Sequence, residues 1–178
     1  MDDDGRPFEE VAAGLLEPLR RFLARRTDPA TADDVLAETL LVCWRRRAEL
    51  PEDPLPWAYG VARRCLANAR RGERRRTRLT ARLSVVDPPA ATTPGPEAHD
   101  APDPALSEAL VRLRPEDAEL LRLWAWEQLG AAEIAAVLNI TANAASIRLH
   151  RARGRLRAEL RKTGDGAGHE GSREGESR

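Results

Sequence analysis

The chain has 178 residues, of which 42% are hydrophobic and only 4% are aromatic. This length is enough for one ordinary domain or two small ones, and the low aromatic content argues against a large β-sandwich or β-barrel. Because 29 basic residues balance 29 acidic residues, any affinity for nucleic acid must come from an uneven distribution of charge. The acidic N-terminus and the lack of a long apolar run predict a cytoplasmic protein without a membrane anchor.

The N-terminal half begins with two stretches of helical periodicity. Apolar residues recur at helical spacing from Phe8 to Arg26, but Pro18 interrupts them, so we expect two short helices that meet at the proline. The next helix should start at Thr31, with Asp34 in the position of a capping partner, and end near Leu50. The residues that it is expected to turn inward are Val35, Leu36, Leu40, Cys43 and Trp44.

A third helix is predicted over residues 57–76, after an irregular loop at 48–56 that contains three prolines. It should bury Trp57, Val61, Cys65, Leu66 and Ala69, and expose Arg63, Arg64, Asn68, Arg70 and Arg71. From Arg63 to Arg82 nine arginines oppose one acidic residue. Such a density of charge repels itself unless an anion neutralises it, which favours a nucleic-acid partner over a merely solvated helix end.

The two cysteines, Cys43 and Cys65, lack the paired spacing of a zinc site and should be buried free thiols. Residues 84–105 hold six prolines, four acids and no basic residue, which predicts a flexible linker. Beyond it, Ser107 is expected to cap a helix, and Pro115 to start another that runs through Trp126 with Trp124 in the core. The glycine-rich tail, 163–178, is expected to be disordered.

The stretch 126–157 has the pattern of a DNA-binding helix-turn-helix. Apolar residues at helical spacing predict its first helix: Leu129, Ile134, Ala135 and Leu138. Asn139 tolerates the left-handed conformation that ends a helix, and Thr141 is a suitable N-cap for the second one. The apolar seam of the second helix consists of Ala145, Leu149, Ala152 and Leu156. Polar and basic residues cover its other faces, as in a helix that enters the major groove.

Ile147 is an apolar residue on a face of that second helix where polar residues are expected. Two interpretations stay open. In a major groove its side chain could contact a thymine methyl group, and otherwise it could pack against another part of the protein.

The segment AAEIAAVLNITANAASIRLHRARGRLR resembles region 4 of the sigma-70 family, specifically its extracytoplasmic-function group. The match includes EIA at 133–135 and RLHRAR at 148–153, whereas Asn139, Thr141, Ala145 and Ser146 depart from the usual residues. The resemblance implies that the second helix binds the minus-35 promoter element. The residues that it implies for this contact are Asn143, Ser146, Ile147, Arg148, His150, Arg151 and Arg153.

Two stretches of the N-terminal half resemble region 2 of the same family. ADDVLAETLLVCWRR is similar to the helix that docks on the clamp coiled coil of RNA polymerase, which implies a polymerase-binding set of Asp34, Glu38, Thr39, Trp44 and Arg45. The alternative for the acidic residues is that the helix dipole favours them near its start. WAYGVARRCLANARR resembles regions 2.3 and 2.4, which implies a minus-10 set of Trp57, Arg63, Arg64, Asn68, Arg70 and Arg71. By the same resemblance, the preceding loop would capture an unstacked base.

Together these features predict an all-α protein of two small helical domains joined by a flexible linker. Region 2 would occupy 8–83, the linker 84–105, region 4 with its helix-turn-helix 106–162, and the tail 163–178. The resemblance implies a sigma factor that binds core RNA polymerase and directs promoter-specific transcription initiation through the minus-10 and minus-35 elements. Core RNA polymerase and promoter DNA would be its partners, and the resemblance leaves an anti-sigma factor open as another.

An enzymatic function is not expected, because the chain has no phosphate-binding loop, no HExxH zinc motif and no nucleophile elbow. No cofactor or metal is expected either. The alternative function from another class is a stand-alone helix-turn-helix regulator, which would use the N-terminal half for dimerisation or sensing. Such a regulator usually binds a palindrome as a dimer and needs no basic helix in that half.

Overall fold

The computed structural model describes residues 7–83 and 103–167, and in these ranges all the regular structure is helical, as predicted. The α-helices are α1 (Phe8–Ala24), α2 (Pro29–Arg45), α3 (Pro54–Leu83), α4 (Pro104–Arg112), α5 (Pro115–Ala125), α6 (Ala131–Leu138) and α7 (Ala142–Ala167). The chain divides into two compact units, one built on α1, α2 and α3 and the other on α4, α5 and α7. None of the helices described here is long and apolar enough to span a membrane.

The first unit is a three-helix bundle in which each helix packs against the other two. Its most deeply buried side chains include Leu19, Phe22 and Leu23 of α1 and Val35 and Cys43 of α2. The Phe22 ring lies 4.9 Å from the Tyr59 ring of α3, tilted by 33°. Each large apolar side chain that is fully buried contributes about 1.5–3 kcal/mol, so this core holds the three helices in a fixed arrangement.

Helix α1 continues through Pro18, so the prediction of two short helices meeting there is wrong. A proline inside a helix removes the hydrogen bond to the carbonyl four residues earlier, here that of Gly14, and costs about 3 kcal/mol. Leu15 before the proline and Leu19 and Phe22 after it are all buried on one face. Packing on both sides of Pro18 therefore offsets the cost and keeps α1 a single helix.

Helix α2 starts earlier and ends earlier than its sequence pattern suggests. Its N-cap is Asp28, whose carboxylate accepts a hydrogen bond of 3.0 Å from the Thr31 amide, so the predicted cap at Thr31 is wrong. This bond, donated by a backbone amide, lowers the pKa of Asp28. After Arg45 the chain forms a short 3-10 helix, Arg47–Glu49, in place of the predicted continuation of α2 to Leu50.

Trp44 was predicted to point inward, and this prediction is wrong, because 50% of the residue is exposed. The buried face of α2 is already complete without it. That face consists of Ala32, Val35, Leu36, Thr39 and Cys43. Successive helical residues are about 100° apart, so Trp44 is turned away from the core next to Cys43.

Helix α3 begins at Pro54, inside the segment predicted to be an irregular loop. Proline is tolerated in the first helical turn, and the Asp53 carboxylate accepts a hydrogen bond of 3.2 Å from the Leu55 amide. The helix has 30 residues, whereas α1 and α2 have 17 each. At 1.5 Å per residue, α3 is about 45 Å long and its neighbours about 26 Å, so its C-terminal part extends beyond the bundle.

The prediction that both cysteines are buried free thiols is confirmed. Cys43 lies on α2 and Cys65 on α3, in the core of the first unit. Burial raises the pKa of the Cys43 thiol to about 11 and also raises the pKa of Cys65. Because the thiolate is the reactive form, both side chains act as small apolar core residues at neutral pH.

In the second unit, α7 packs against α4 and α5. Helix α4 begins at Pro104 with Asp103 as its N-cap, so Ser107 is not a cap and the predicted linker extends two residues too far. The rest of the linker, up to residue 102, lies outside the described residues. Pro115 starts α5 as predicted, but Trp124 is 38% exposed and is not a core residue. Helix α7 continues to Ala167, so residues 163–167 of the predicted disordered tail are helical, and the remainder of the tail is outside the described residues.

Candidate nucleic-acid and polymerase interfaces

The turn between α6 and α7 has the geometry that the sequence predicts. Asn139 adopts the left-handed conformation, with a φ of 53°, and the Ile140 amide donates a hydrogen bond of 3.0 Å to the Ala135 carbonyl. The Thr141 hydroxyl oxygen accepts a hydrogen bond of 3.2 Å from the Ala144 amide, which confirms Thr141 as the N-cap of α7. These bonds satisfy backbone groups at both helix ends and fix the helix-turn-helix locally.

The entry to α6 differs from its prediction. Leu129 is buried but precedes the helix, which starts at Ala131. The Glu133 carboxylate accepts a hydrogen bond of 2.6 Å from the Gly130 amide and so satisfies a donor at the helix start. Gln128, just before this segment, has a φ of 56°, a conformation that strains any residue except glycine and, to a lesser degree, asparagine or aspartate.

We expect Gln128→Gly to stabilise the second unit. Glycine adopts positive φ without the steric cost of about 1–2 kcal/mol that a side chain brings, although its greater freedom in the unfolded chain removes part of the gain. The free energy of unfolding should rise by about 0.5–1 kcal/mol, measured by thermal or urea unfolding. The reverse type of change, Gly154→Ala, lies at a helical position with open space around it and should also raise the free energy of unfolding. A lower stability of Gln128→Gly would show that the Gln128 side chain contributes more than its backbone costs.

Helix α7 presents most of the predicted minus-35 residues to solvent. The seam residues Ala145, Leu149 and Ala152 are buried, as predicted. The exposed residues of the predicted set are Asn143, Ser146, Ile147, Arg148, His150 and Arg151. Ile147 is 44% exposed, so it is available for contact with a groove.

Arg153, the remaining member of that set, is only half-buried and does not share this exposed surface. Its guanidinium group lies 4.4 Å from the centre of the Trp124 ring on α5. On the other side of the seam, the Arg155 guanidinium contacts the buried carboxylate of Asp117 at 2.5 Å. No role for Asp117 is evident from the sequence. Arg153 and Arg155 lie within about 80° of the seam, and so does Arg148, so the sequence alone does not show which of them contacts α5. The Arg155 side chain keeps 47% of its surface exposed.

Three of the five predicted polymerase-binding residues share one exposed face of α2: Asp34, Glu38 and Arg45. Leu41, which is not among the five predicted residues, lies on the same face and is 44% exposed. Thr39 is on the opposite face, fully buried, and its hydroxyl donates a hydrogen bond of 2.7 Å to the Val35 carbonyl. Thr39 can therefore support the helix but cannot reach a partner.

Trp44 lies about 90° from the face that bears Glu38, with the Arg47 guanidinium 5.2 Å from its ring centre. It lines an open groove of about 540 Å³ between the start of α1, the end of α2 and the loop before α3. Phe8, Val11 and Leu50 supply further apolar atoms to this groove. The groove thus combines an exposed aromatic ring with one cationic side chain, Arg47, and two acidic ones, Glu9 and Glu52.

The predicted minus-10 residues lie along α3. The arginines Arg63, Arg64, Arg70 and Arg71 are exposed together with Asn68. Trp57 is half-buried rather than inward as expected, with Arg46 5.5 Å from its ring centre. The Arg71 guanidinium donates to the Asn68 side-chain oxygen, and Arg70 donates to the Arg26 carbonyl at 2.5 Å.

Beyond Arg70, helix α3 continues as an exposed row of arginines. Arg71, Arg75 and Arg78 follow at intervals of four and three residues, so they share one face of the helix with Arg64 and Asn68. Arg76 points elsewhere and forms an ion pair of 2.7 Å with Glu73. From Arg64 to Arg78 this face presents positive charge to solvent over about 21 Å of helix.

Comparison with known proteins links both units to one family. Residues 104–156 match the family "Sigma-70, region 4". The chain is 32% identical to the RNA polymerase sigma-E factor of Streptomyces avermitilis over 154 residues, which cover 86% of this chain and 84% of the relative. It is 31% identical to the ECF RNA polymerase sigma factor SigL of Mycobacterium tuberculosis over 162 residues, which cover 88% of each chain.

The fold also matches solved structures. The sigma factor RpoE of Bartonella quintana, solved in complex with the anti-sigma factor NepR, is similar with a TM-score of 0.61 and 20% identity, over 86% of this chain and 96% of that one. CnrH, solved in complex with the cytosolic domain of CnrY, has a TM-score of 0.57 and 20% identity, over 87% of this chain and 88% of that one. At this identity the likeness is one of fold.

Proposed function

The chain belongs to the extracytoplasmic-function group of RNA polymerase sigma factors, and we propose that its two units read two separate promoter elements. Helix α7 of the second unit would read the minus-35 element, and α3 of the first unit the minus-10 element. The observation that carries this proposal is that each unit exposes its own arginine-rich helix. A regulator that recognises a palindrome as a dimer needs only one such helix per chain.

At the minus-35 element, the N-terminal part of α7 would enter the major groove. Asn143 and Ser146 can exchange hydrogen bonds with base edges, and Ile147 can contact a thymine methyl group. Arg148 and Arg151 would contact phosphates, which orient the helix without reading sequence. His150 is a further exposed donor on this helix.

At the minus-10 element, α3 would hold the separated strand and the adjoining duplex. Arg63, Arg64, Arg70 and Arg71 provide charge for the phosphates, and Asn68 a polar group for a base. The half-buried Trp57 would support this surface by stacking. The groove beside Trp44 has the aromatic and cationic groups that bind an unstacked base, and it is bordered by the loop before α3.

Core RNA polymerase would dock on the face of α2 that carries Asp34, Glu38, Leu41 and Arg45. Trp44 would lie at the edge of this interface. Thr39 would contribute indirectly, from the buried face, by stabilising the helix. Since a similar structure is a complex with an anti-sigma factor, we include an anti-sigma factor among the partners. The protein would act in the cytoplasm with the polymerase, by binding and without making or breaking covalent bonds itself.

Within this proposal region 2 occupies 8–83, the linker 84–103, and region 4 extends from Pro104, where α4 begins, to 162. The alternative of a stand-alone regulator is not favoured. The similarity to sigma factors covers 84% of the length of the sigma-E relative, which includes the half that such a regulator would use for dimerisation or sensing.

The test is run-off transcription with the full chain, bacterial core RNA polymerase and fragments of the genome that encodes the chain. We expect transcripts that require the chain, with two shared sequence blocks upstream of their start sites. Asn143→Ala should weaken discrimination at the upstream block alone, and Asn68→Ala at the downstream block alone. Transcripts with one shared block, or variants that affect both blocks equally, would contradict the proposed assignment of the two helices.

A further inference from the structure

Two arginines of α7 are directed at α5, on either side of the apolar seam. Arg153 lies over the Trp124 ring, and Arg155 pairs with Asp117. We propose that Asp117 and Trp124 are positioning residues that set the angle of α7, and that Arg153 and Arg155 make no contact with DNA phosphates. This inference rests on the proposed reading of the minus-35 element by α7, and it assigns different tasks to arginines that look alike in sequence.

The contact between Asp117 and Arg155 is the stronger of the two. Asp117 is only 7% exposed, and a buried carboxylate is costly unless a cation pairs with it. Arg155 supplies that cation at 2.5 Å from a helix 38 residues away along the chain. If Arg155 bound a DNA phosphate instead, the buried charge of Asp117 would lose this partner. The Arg155 guanidinium is therefore held at Asp117 through Nη1, with 47% of the side chain exposed.

The two contacts are spaced along α5 and lie on opposite sides of α7. Asp117 lies in the first turn of α5 and Trp124 seven residues later, about 10 Å along the axis. Arg153 and Arg155 lie on opposite sides of the seam of α7, each about 80° from it. The buried seam already packs α7 against α4 and α5. The two contacts flank this packing and further restrain the crossing angle and the rotation of α7 about its own axis.

Small changes of this angle have large effects at the base-reading end. Asn143 is twelve residues from Arg155, about 18 Å along α7. A change of about 5° in the crossing angle at Arg155 moves the Asn143 end by about 1.6 Å, which is enough to break hydrogen bonds that tolerate only about 0.5 Å. Long arginine side chains adapt more easily to such a shift. Loss of the contacts should thus reduce discrimination between base sequences more than binding to DNA in general.

The test uses holoenzyme assembled from the full chain and core RNA polymerase. Its Kd is measured over a series of salt concentrations for a duplex that carries the upstream block and for one in which that block is scrambled. Discrimination is the Kd for the scrambled duplex divided by the Kd for the specific one. We expect Asp117→Leu, which removes the contact without leaving a buried carboxylate, to lower this ratio by about tenfold. The matched control is Glu116→Leu, an exposed acidic residue in the same turn, which makes the same change of charge and should leave the ratio unchanged.

The salt dependence separates positioning from phosphate contact. Arg151→Ala should lower the slope of log K against log salt by about 0.9 on both duplexes, as expected for one lost phosphate contact. Arg155→Gln should leave the slope of log K against log salt unchanged and should lower the ratio of the Kd for the scrambled duplex to the Kd for the specific one. The double variant with Asp117→Leu should lower this ratio no further than either single variant does. These measurements remain decisive if only one of the two single variants folds, as judged by circular dichroism.

Three results are decisive against specific parts of the scheme. A lower slope for Arg155→Gln would assign Arg155 to a phosphate and overturn the inference. An unchanged ratio for a folded Asp117→Leu variant would also overturn it. If the wild-type holoenzyme itself does not distinguish the two duplexes, the proposed minus-35 reading fails, and the inference that rests on it fails for that separate reason.

Discussion

Glu38→Arg combined with Leu41→Ala is expected to lower the affinity of the chain for core RNA polymerase by about 100-fold or more. Both residues lie on the exposed face of α2, opposite its buried face. Residues that anchor an interface cost about 2 kcal/mol or more when truncated, and reversing a charge adds repulsion. Two such changes together exceed the 2.8 kcal/mol or so that corresponds to 100-fold. The measurement is a titration of labelled core polymerase with each variant.

The stability of the bundle should not change in this double variant, because neither side chain is part of the core. A matched control is Leu16→Ala with Glu17→Arg, which makes the same types of change on an exposed face of α1. This control should bind polymerase as the wild type does. Equal binding by the Glu38 and Leu41 double variant and the wild type would place the polymerase interface elsewhere.

Replacing Arg74, Arg75 and Arg78 with alanine is expected to lower the salt slope of promoter binding by about 2.7. Each lost phosphate contact accounts for about 0.9. The three residues lie in the part of α3 that extends beyond the bundle, where their side chains are exposed. They were not among the residues selected from sequence for the minus-10 element, although they belong to the same arginine-rich run. The holoenzyme and a fragment that contains the downstream block provide the measurement.

A control that removes the same number of positive charges elsewhere distinguishes a local contact from a change in net charge. Arg20→Ala, Arg21→Ala and Arg112→Ala remove exposed arginines from α1 and α4. This triple variant should change the slope by less than 0.9, the value for one contact. If both triple variants change the salt slope equally, the extended part of α3 contributes only to the overall electrostatic potential of the protein and does not bind phosphates.

The all-α class and the helix-turn-helix depend on neighbours in sequence and were predicted correctly, whereas the caps predicted at Thr31 and Ser107 were wrong. The all-α fold follows from the period of apolar residues, and the turn of the helix-turn-helix from Asn139 and Thr141, whose preferences act within a few residues. The buried seam of α7 follows from the same periodicity. The resemblance to sigma region 4 agrees with the family match over residues 104–156. The exact domain limits and the DNA-contacting residues stay predictions.

Features that depend on tertiary packing were predicted less well. Pro18 was expected to break α1, because its local cost is visible in the sequence while the packing of Leu15 and Leu19 on either side is not. Trp44 and Trp124 were placed in the core because they are large and apolar. Their exposure depends on whether smaller residues, such as Cys43 beside Trp44, already complete the buried face.

The sequence by itself determined the all-α class, the turn of the helix-turn-helix and the family, since helical period, the preferences of turn residues and the motif act over short stretches of chain. Only the tertiary structure showed which arginines of α7 have a partner on α5. Arg151 and Arg155 are alike in type and lie on the same helix, but the partner of Arg155 is Asp117, 38 residues away. A pairing of that kind depends on the packing of α5 against α7, and local periodicity contains no information about it.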